Sequence, residues 1–331
     1  MKRTYRLMAL ILLLVSTGCQ APPTHPAGPG LVLGAPEEDD DLRGLRIGPI
    51  FSNPDHSQVP LSGGQAPPPS KTGIDAGRVA LVKRTGPDPQ VVLYEATDGT
   101  LVPGSPPVPW YGPGMPKVSA DGRYVAYNGF GRVNRRIVLW DMALGQEVAL
   151  PAELENGRDP DLSGDGRWLI YLKGAERAPS LALFDRLSRE ERLLPLREVQ
   201  LEGAHSPTIS ADGGTAAYVA SSSRGDANIY LLDLESGTPI SPPTLNTVDQ
   251  ERDPALSADG NTLLFTSDRN GTLDLFAYDL KEGRYMDMGA YNSLGDDTLP
   301  RFLGPADEGV AYVSDREGIP TGYMRRYDGW R

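Results

Sequence analysis

Along most of this chain, short apolar runs alternate with turns marked by Asp, Gly and Pro. Residues 253–280 show the pattern most clearly: Pro254 opens a short strand ending at Ser257, Asp259-Gly260 turns the chain, and Thr262–Ser267 is a bounded apolar run of strand length. Asp268-Arg269-Asn270-Gly271 is a second turn, Leu273–Tyr278 a third strand, and Asp279 starts the next turn. The first turn reads as a two-residue hairpin, in which Gly supplies φ > 0 and Asp bonds its own backbone. No long helical period is visible.

The unit repeats. Its turn glycine falls at Gly122, Gly166, Gly213 and Gly260, spaced by 44, 47 and 47 residues. An aromatic follows each five residues on (Tyr127, Tyr171, Tyr218, Phe265), and the third strand closes on an acid (Asp141, Asp185, Asp233, Asp279). Degenerate copies flank these four, one with Gly77 and Glu95, the other with Tyr312 and Asp328. Six copies at such a period predict a propeller or solenoid. A weaker apolar stretch precedes each following Pro (Glu147–Leu150, Glu191–Leu196, Pro239–Thr244, Tyr285–Met288) and supplies a fourth strand. The fold class is therefore all-β, a six-bladed β-propeller of four-stranded antiparallel blades over residues 73–331, with the aromatics filling the spaces between blades. The last copy lacks its outer strand. The apolar alternation of Leu45–Phe51, with Pro49 tolerable at a sheet edge, predicts an N-terminal clasp over 45–51 that fills the gap.

The N-terminus follows other rules. Lys2, Arg3 and Arg6 precede the apolar run Leu7–Val15, too short to span a bilayer and suited to a secretory signal over residues 1–19. Ser16-Thr17-Gly18-Cys19 resembles a bacterial lipobox, with Ser16 where Leu is usual, which makes Cys19 a lipid-attachment residue. Gln20 stands where Asp would signal retention at the inner membrane, so the resemblance implies the periplasmic side of the outer membrane. Residues 20–72 are a Pro/Gly-rich acidic tether, carrying the run Glu37-Glu38-Asp39-Asp40-Asp41.

Composition adds two constraints. The 38 Gly and 31 Pro suit a turn-rich fold. The formal charge of −12, more negative still without the basic leader, argues against nucleic acid and against an anionic membrane face as partners. Cys19 is the single cysteine, so no disulfide or Cys-based zinc site is expected.

The Pro-x-Leu-Ser-x-Asp-Gly repeat with its aromatic-Asp ending is similar to the WD-like propeller repeat of the TolB family. The resemblance covers residues 73–331 and implies a periplasmic propeller that works as a protein-binding platform in the cell envelope. The family's folded N-terminal domain has no counterpart here, and TolB itself is soluble rather than lipidated.

Catalytic chemistry is not expected from the sequence. Of three histidines, His25 and His56 precede the repeats and His205 enters a blade; no Gly-x-Ser-x-Gly elbow occurs. Asp268, Asn270, Thr272 and Asp274 fall at calcium-loop spacing without the distal glutamate, and read as a hairpin turn. No cofactor or metal is expected. A binding site is expected where the blades converge, at the mouth of the central channel. Residues beside the first-strand prolines are the candidates: Arg158, Asp159, His205, Arg252, Asp253, Asp297 and Arg301, with Met115, Lys117, Asp161 and Thr208 beside them. The leading expectation is a monomeric, lipid-anchored, non-catalytic platform for an envelope protein partner. The alternatives are a glycan-binding or glycan-processing propeller and a structural accessory without a discrete ligand. The four Trp supply few aromatic platforms for sugars, which favours protein.

Overall fold

The Ser-x-Asp-Gly turns set the geometry. In the computed structural model, each Ser hydroxyl donates to the Asp two residues on: Ser119 to Asp121 at 2.6 Å, Ser163 to Asp165 at 2.7 Å, Ser210 to Asp212 at 2.5 Å and Ser257 to Asp259 at 2.8 Å. Each Ser Oγ also accepts a backbone N–H from the start of the second strand, as at Thr262. Gly213 and Gly260 have φ of 77° and 66°, the left-handed conformation their positions require. The loop is longer than a two-residue hairpin: Ser257 N bonds Thr262 O and Gly260 N bonds Ser257 O, so four residues make the connection.

The structure describes residues 44–49, 77–83, 90–107, 116–130, 135–151, 154, 157–175, 179–195, 204–222, 224–289, 291–304, 306–318 and 320–326. The leader with Cys19, the tether apart from 44–49, and Met115 lie outside them. The described elements are strands, and no α-helix occurs among them. Five sheets are four-stranded and antiparallel. One comprises β4 (Lys117–Val118), β5 (Tyr124–Phe130), β6 (Arg135–Asp141) and β7 (Gln146–Glu147). The next holds β8 (Gly157–Leu162), β9 (Trp168–Lys173), β10 (Ser180–Asp185) and β11 (Glu190–Leu194). Then come β12 (His205–Ile209), β13 (Thr215–Ser221), β14 (Ala227–Asp233) and β15 (Pro239–Ile240), followed by β16 (Glu251–Leu256), β17 (Thr262–Ser267), β18 (Asp274–Asp279) and β19 (Arg284–Met286). The last is β20 (Asp297–Leu303), β21 (Gly309–Ser314) and β22 (Thr321–Arg326), completed by β1 (Gly44–Pro49). β1 pairs antiparallel with β22 from Gly44↔Arg325 to Pro49↔Thr321, joining an N-terminal strand to the C-terminal blade.

The count of full blades differs from the expectation of six. The first copy contributes a two-stranded ladder, β2 (Arg78–Lys83) with β3 (Gln90–Glu95), extended by a single bridge from Tyr94 to Leu101. Its repeat is the most degenerate and carries no Ser-x-Asp-Gly turn. The outer strands are also shorter than the apolar stretches suggested: β7 and β15 have two residues each. They pair on one side only, and their alternation buries little.

The cores lie between blades. Tyr127 packs with Val91 and Leu93 of the two-stranded ladder; Tyr171 with Ile137 and Leu139; Tyr218 with Leu172 and Leu183; Phe265 with Val219 and Leu231. All four aromatics are buried. On its other side the ladder packs Val79 and Leu81 against Val313 and Met324, so it occupies a place in the ring between the last blade and the next. Backbone bonds link successive turns: Ala120 N to Gly164 O at 2.9 Å, Gly164 N to Ala211 O at 2.8 Å, and Asp212 N to Ala258 O at 2.9 Å.

Candidate functional site

Each fully described inner strand is broken at its proline. In β8, Arg158 pairs with Leu172 and Asp161 with Ile170, leaving Asp159-Pro160 out of the ladder. The same slip occurs at Ser206-Pro207, Asp253-Pro254 and Leu299-Pro300. Proline has no N–H to give the ladder, so it fits a bulge. The strand therefore begins three residues before Pro254 rather than at it. The residue before each proline takes positive φ: 51° at Asp159, 50° at Ser206, 52° at Asp253 and 55° at Leu299. For a non-glycine residue this conformation costs about 1–2 kcal/mol, and the same strain recurs at four equivalent places.

Below the bulges, the residues one step after each proline share a register: Lys117, Asp161, Thr208, Ala255 and Arg301. Asp161 accepts from Lys117 Nζ at 3.3 Å and from Thr208 Oγ1 at 2.6 Å, bridging three inner strands. All three side chains are buried. Arg301 donates to its neighbour Pro300 O at 2.6 Å and to Pro254 O of the preceding blade at 3.4 Å. Burial brings the Lys117 ammonium down to about 8; repulsion from Arg301 adds to this, while Asp161 and Asp253 oppose it. Burial also lowers the Arg301 guanidinium, against the attraction of Asp161 and Asp253.

Above this layer lie Asp159, His205 and Asp253. Asp159 is fixed twice by buried Asn128 of the neighbouring blade: Asn128 Nδ2 donates to Asp159 Oδ1 and Asp159 N donates to Asn128 Oδ1, both at 2.8 Å. His205 Nδ1 lies 3.0 Å from Ser206 Oγ. Water reaches His205, yet the enclosing walls push its pKa below the ordinary value, against the pull of Asp253 and Asp159 and with the push of Arg252. The imidazole is therefore largely neutral at pH 7.

The other candidates sit elsewhere. Arg158 is buried and donates to the carbonyls of Gly174 (2.7 Å) and Ala175 (3.3 Å), holding the connection after β9. Arg252 stands exposed at the rim, 3.5 Å from Gln250 Oε1. Asp297 is fully buried. It accepts from Ser293 N and Oγ and pairs with Arg316 at 3.1 Å.

That last arrangement was missed by sequence reasoning, and it has a twin. Buried Glu251 pairs with Arg269 at 2.8 Å, and the Arg269 guanidinium lies over Phe265, Phe276 and Tyr285 at 5.4, 4.6 and 5.0 Å. Arg316 lies over Tyr312 and Tyr323 at 5.6 and 4.7 Å. The signal was present: both blades carry Ser-Asp-Arg-x-Gly in the second turn and an acid three residues before the inner proline. Where the acid is replaced by Gly157 or Ala204, that turn motif is absent.

Among the described residues, no group of three or more His, Cys, Asp or Glu is disposed to hold a metal. The calcium-spaced segment folds on itself, with Asn270 Nδ2 donating to Asp274 at 3.1 Å and Asp268 accepting from Gln250 N at 2.9 Å.

No protein-family model matches the sequence, and no curated protein matches it significantly. Solved structures do resemble it. TolB from Acinetobacter baumannii aligns at a TM-score of 0.56 and 16% identity, over 78% of this chain and 65% of that one; this chain thus spans less than two thirds of that protein's length. The fold is a TolB-like β-propeller. An oligogalacturonate lyase from Vibrio parahaemolyticus aligns at 0.49 and 16%, over 76% of each chain. A puromycin-hydrolysing peptidase from Mycobacterium tuberculosis aligns at 0.48 and 16%, over 77% of this chain and 44% of its own. The expectation that the chain is not an enzyme is withdrawn: the solved structures that resemble it include a lyase and a peptidase beside TolB, and at such identities the likeness is one of fold alone.

Proposed function

We propose that this chain is a lipid-anchored protein of the bacterial envelope whose propeller captures another protein at the mouth of its channel. The observation that carries the reading is the set of four strained bulges, at Asp159, Ser206, Asp253 and Leu299. Strain repeated at one level of a ring must be held by the surrounding sheets, and strained backbone gathers at ligand clamps and active sites. Just below it Asp161 ties Lys117 and Thr208 together across three inner strands. Polar and charged groups gathered beside the bulges suit the polar surface of a protein partner. The leader ending at Cys19 supports export and anchoring, with Gln20 favouring the outer membrane.

The test has two arms. Cys19→Ser should abolish palmitate labelling and release the protein from the membrane fraction; labelling that persists overturns the anchor. A photocrosslinker placed at Arg252, on the rim, should capture one envelope protein in cells. The double reversal Asp159→Lys/Asp253→Lys should reduce that capture at least tenfold while the protein stays folded by circular dichroism. Undiminished capture by the folded variant removes the mouth as the binding face.

A further inference from the structure

Two loops on the mouth face are built to one plan. Asn246-Thr247-Val248-Asp249-Gln250 leads into Glu251, the first residue of β16; Asn292-Ser293-Leu294-Gly295-Asp296 leads into Asp297, the first residue of β20. Each asparagine clamps the backbone of the neighbouring third strand twice. Asn246 accepts from Ile229 N at 2.9 Å and donates to Ile229 O at 2.8 Å; Asn292 does the same to Leu275 at 2.8 and 3.0 Å. Each hydroxyl donates to the buried acid behind it: Thr247 to Glu251 at 2.7 Å, Ser293 to Asp297 at 2.8 Å. Both acids are held by an arginine stacked on aromatic rings. The following backbone is tied as well, Gln250 N to Asp268 at 2.9 Å and Asp296 N to Asp315 at 2.7 Å.

The third residue of each loop turns outward, and in both it is aliphatic. Val248 is 66% exposed and Leu294 101%. A single exposed aliphatic needs no explanation. Two at equivalent positions of adjacent blades stand on loops that are already tied down, so little loop freedom is left to lose on association. Their surroundings carry more acid than base: Asp249, Asp268, Asp296 and Asp315 lie in the same loops and the turns that bind them, Arg252 stands exposed beside Gln250, and Arg269 and Arg316 are withdrawn into their aromatic cages.

We propose that Val248 and Leu294 are twin anchors for a basic, apolar segment of a partner protein, the surrounding carboxylates meeting its lysines or arginines. The proposal rests on the reading that this face captures a protein. The same charge disfavours a second copy of this acidic chain and an anionic membrane.

The test uses the full chain and two synthetic peptides that share leucine positions, one with lysine between them and one with glutamate. The lysine peptide should bind, more weakly as salt rises, and Val248→Ser/Leu294→Ser should weaken it at least tenfold. The control Leu144→Ser/Leu187→Ser, in turns after the third strands at the opposite face, should leave binding within twofold. Equal binding of the glutamate peptide, or of the lysine peptide to the Val248→Ser/Leu294→Ser protein, overturns the proposal. So does self-association, or binding to phosphatidylglycerol vesicles, that the same double substitution removes in place of peptide binding. Asp159→Lys/Asp253→Lys separates the two readings: peptide binding kept there but lost at the loop tips upholds the anchors without the mouth, and the reverse removes the anchors while the mouth stands.

Discussion

The blades built on β16–β19 and β20–β22 differ from those built on β8–β11 and β12–β15 in what lies behind the mouth. The first pair holds a buried acid, a stacked arginine and a clamped loop; in the second pair the acid's place is taken by Gly157 or Ala204. The repeat thus fixes where the strands run but leaves the top of each blade free to be rigid or plain. In the rigid pair, loop order depends on a few buried charges. In the plain pair, the blade built on β8–β11 has Arg158 bonded to carbonyls there instead.

The largest expected effect breaks that contrast directly. Glu251→Ala or Asp297→Ala leaves an arginine inside an aromatic cage without its carboxylate, and removing one partner of a buried pair costs about 3–5 kcal/mol. Lys173→Ala, in the partly exposed Lys173–Glu191 pair of a plain blade, should cost roughly 0–1 kcal/mol. Urea unfolding of the three variants checks this. Similar losses for all three would mean that the cages are ornament rather than support.

A smaller contrast separates interlocked turns from free ones. A Cβ at Gly260 would lie 2.7 Å from Thr215 Oγ1 and 3.0 Å from its Cβ, in the preceding blade, whereas at Gly271 it would meet nothing within 4 Å. Both have positive φ, 66° and 96°. Gly271→Ala should therefore cost only its backbone strain, about 1–2 kcal/mol, and Gly260→Ala visibly more, read as a lower melting temperature. An equal shift would show that the blades do not interlock at this turn.

What the sequence made legible follows from local chemistry. The Asp-Gly turns, the period and the filler aromatics each depend on residues close in the chain, and Tyr127, Tyr171, Tyr218 and Phe265 lie where the spacing put them. The bulges were not foreseen, although Asp-Pro and Ser-Pro pairs inside strands signal them, because a proline was read as a strand start rather than as a gap in the ladder. The site was half legible. Asp159 and Asp253 are brought within electrostatic reach of His205, and Asp253 within reach of Arg301, but Arg158 and Asp297 are spent on framework contacts that join residues 16 to 19 positions apart. Adjacency to an inner proline shows which strand a side chain is on, not which side of the bulge it leaves from.

Lys117 offers a pH test of whether the channel is filled at its level. Its pKa falls from 10.5 unfolded to about 8 folded, so between these values the unfolded chain binds more protons. Stability should rise with pH across that window by a few kcal/mol at most, because a tenfold change in proton affinity is worth about 1.4 kcal/mol. Lys117→Met should flatten the rise, measured by urea unfolding from about pH 7.5 to about pH 10. A slope unchanged by the substitution would mean that water reaches the ammonium and that the channel is open there.

The smallest effect lies where the turn ring changes its chemistry. In three steps the turn-to-turn bond ends on a backbone carbonyl. In the fourth, Ala258 N donates to the Asp307 carboxylate at 2.8 Å, because the last copy has no Ser-x-Asp-Gly turn to offer one. Burial raises the Asp307 pKa to about 6, and Asp259 and Glu308 push the same way against the bond from Ala258. A folded pKa above the unfolded 3.8 means that its stabilisation is complete below about pH 4 and is lost as pH rises through 6. Part of the side chain meets solvent, so the loss should be about 1 kcal/mol after screening. Asp307→Asn keeps an acceptor and removes the charge; it should match the parent at pH 4 and exceed it slightly at pH 7. Asp307→Ala removes the acceptor and should be less stable than Asp307→Asn at both, by about 1 kcal/mol. If Asp307→Asn and Asp307→Ala behave alike, the carboxylate does not close the ring of turns.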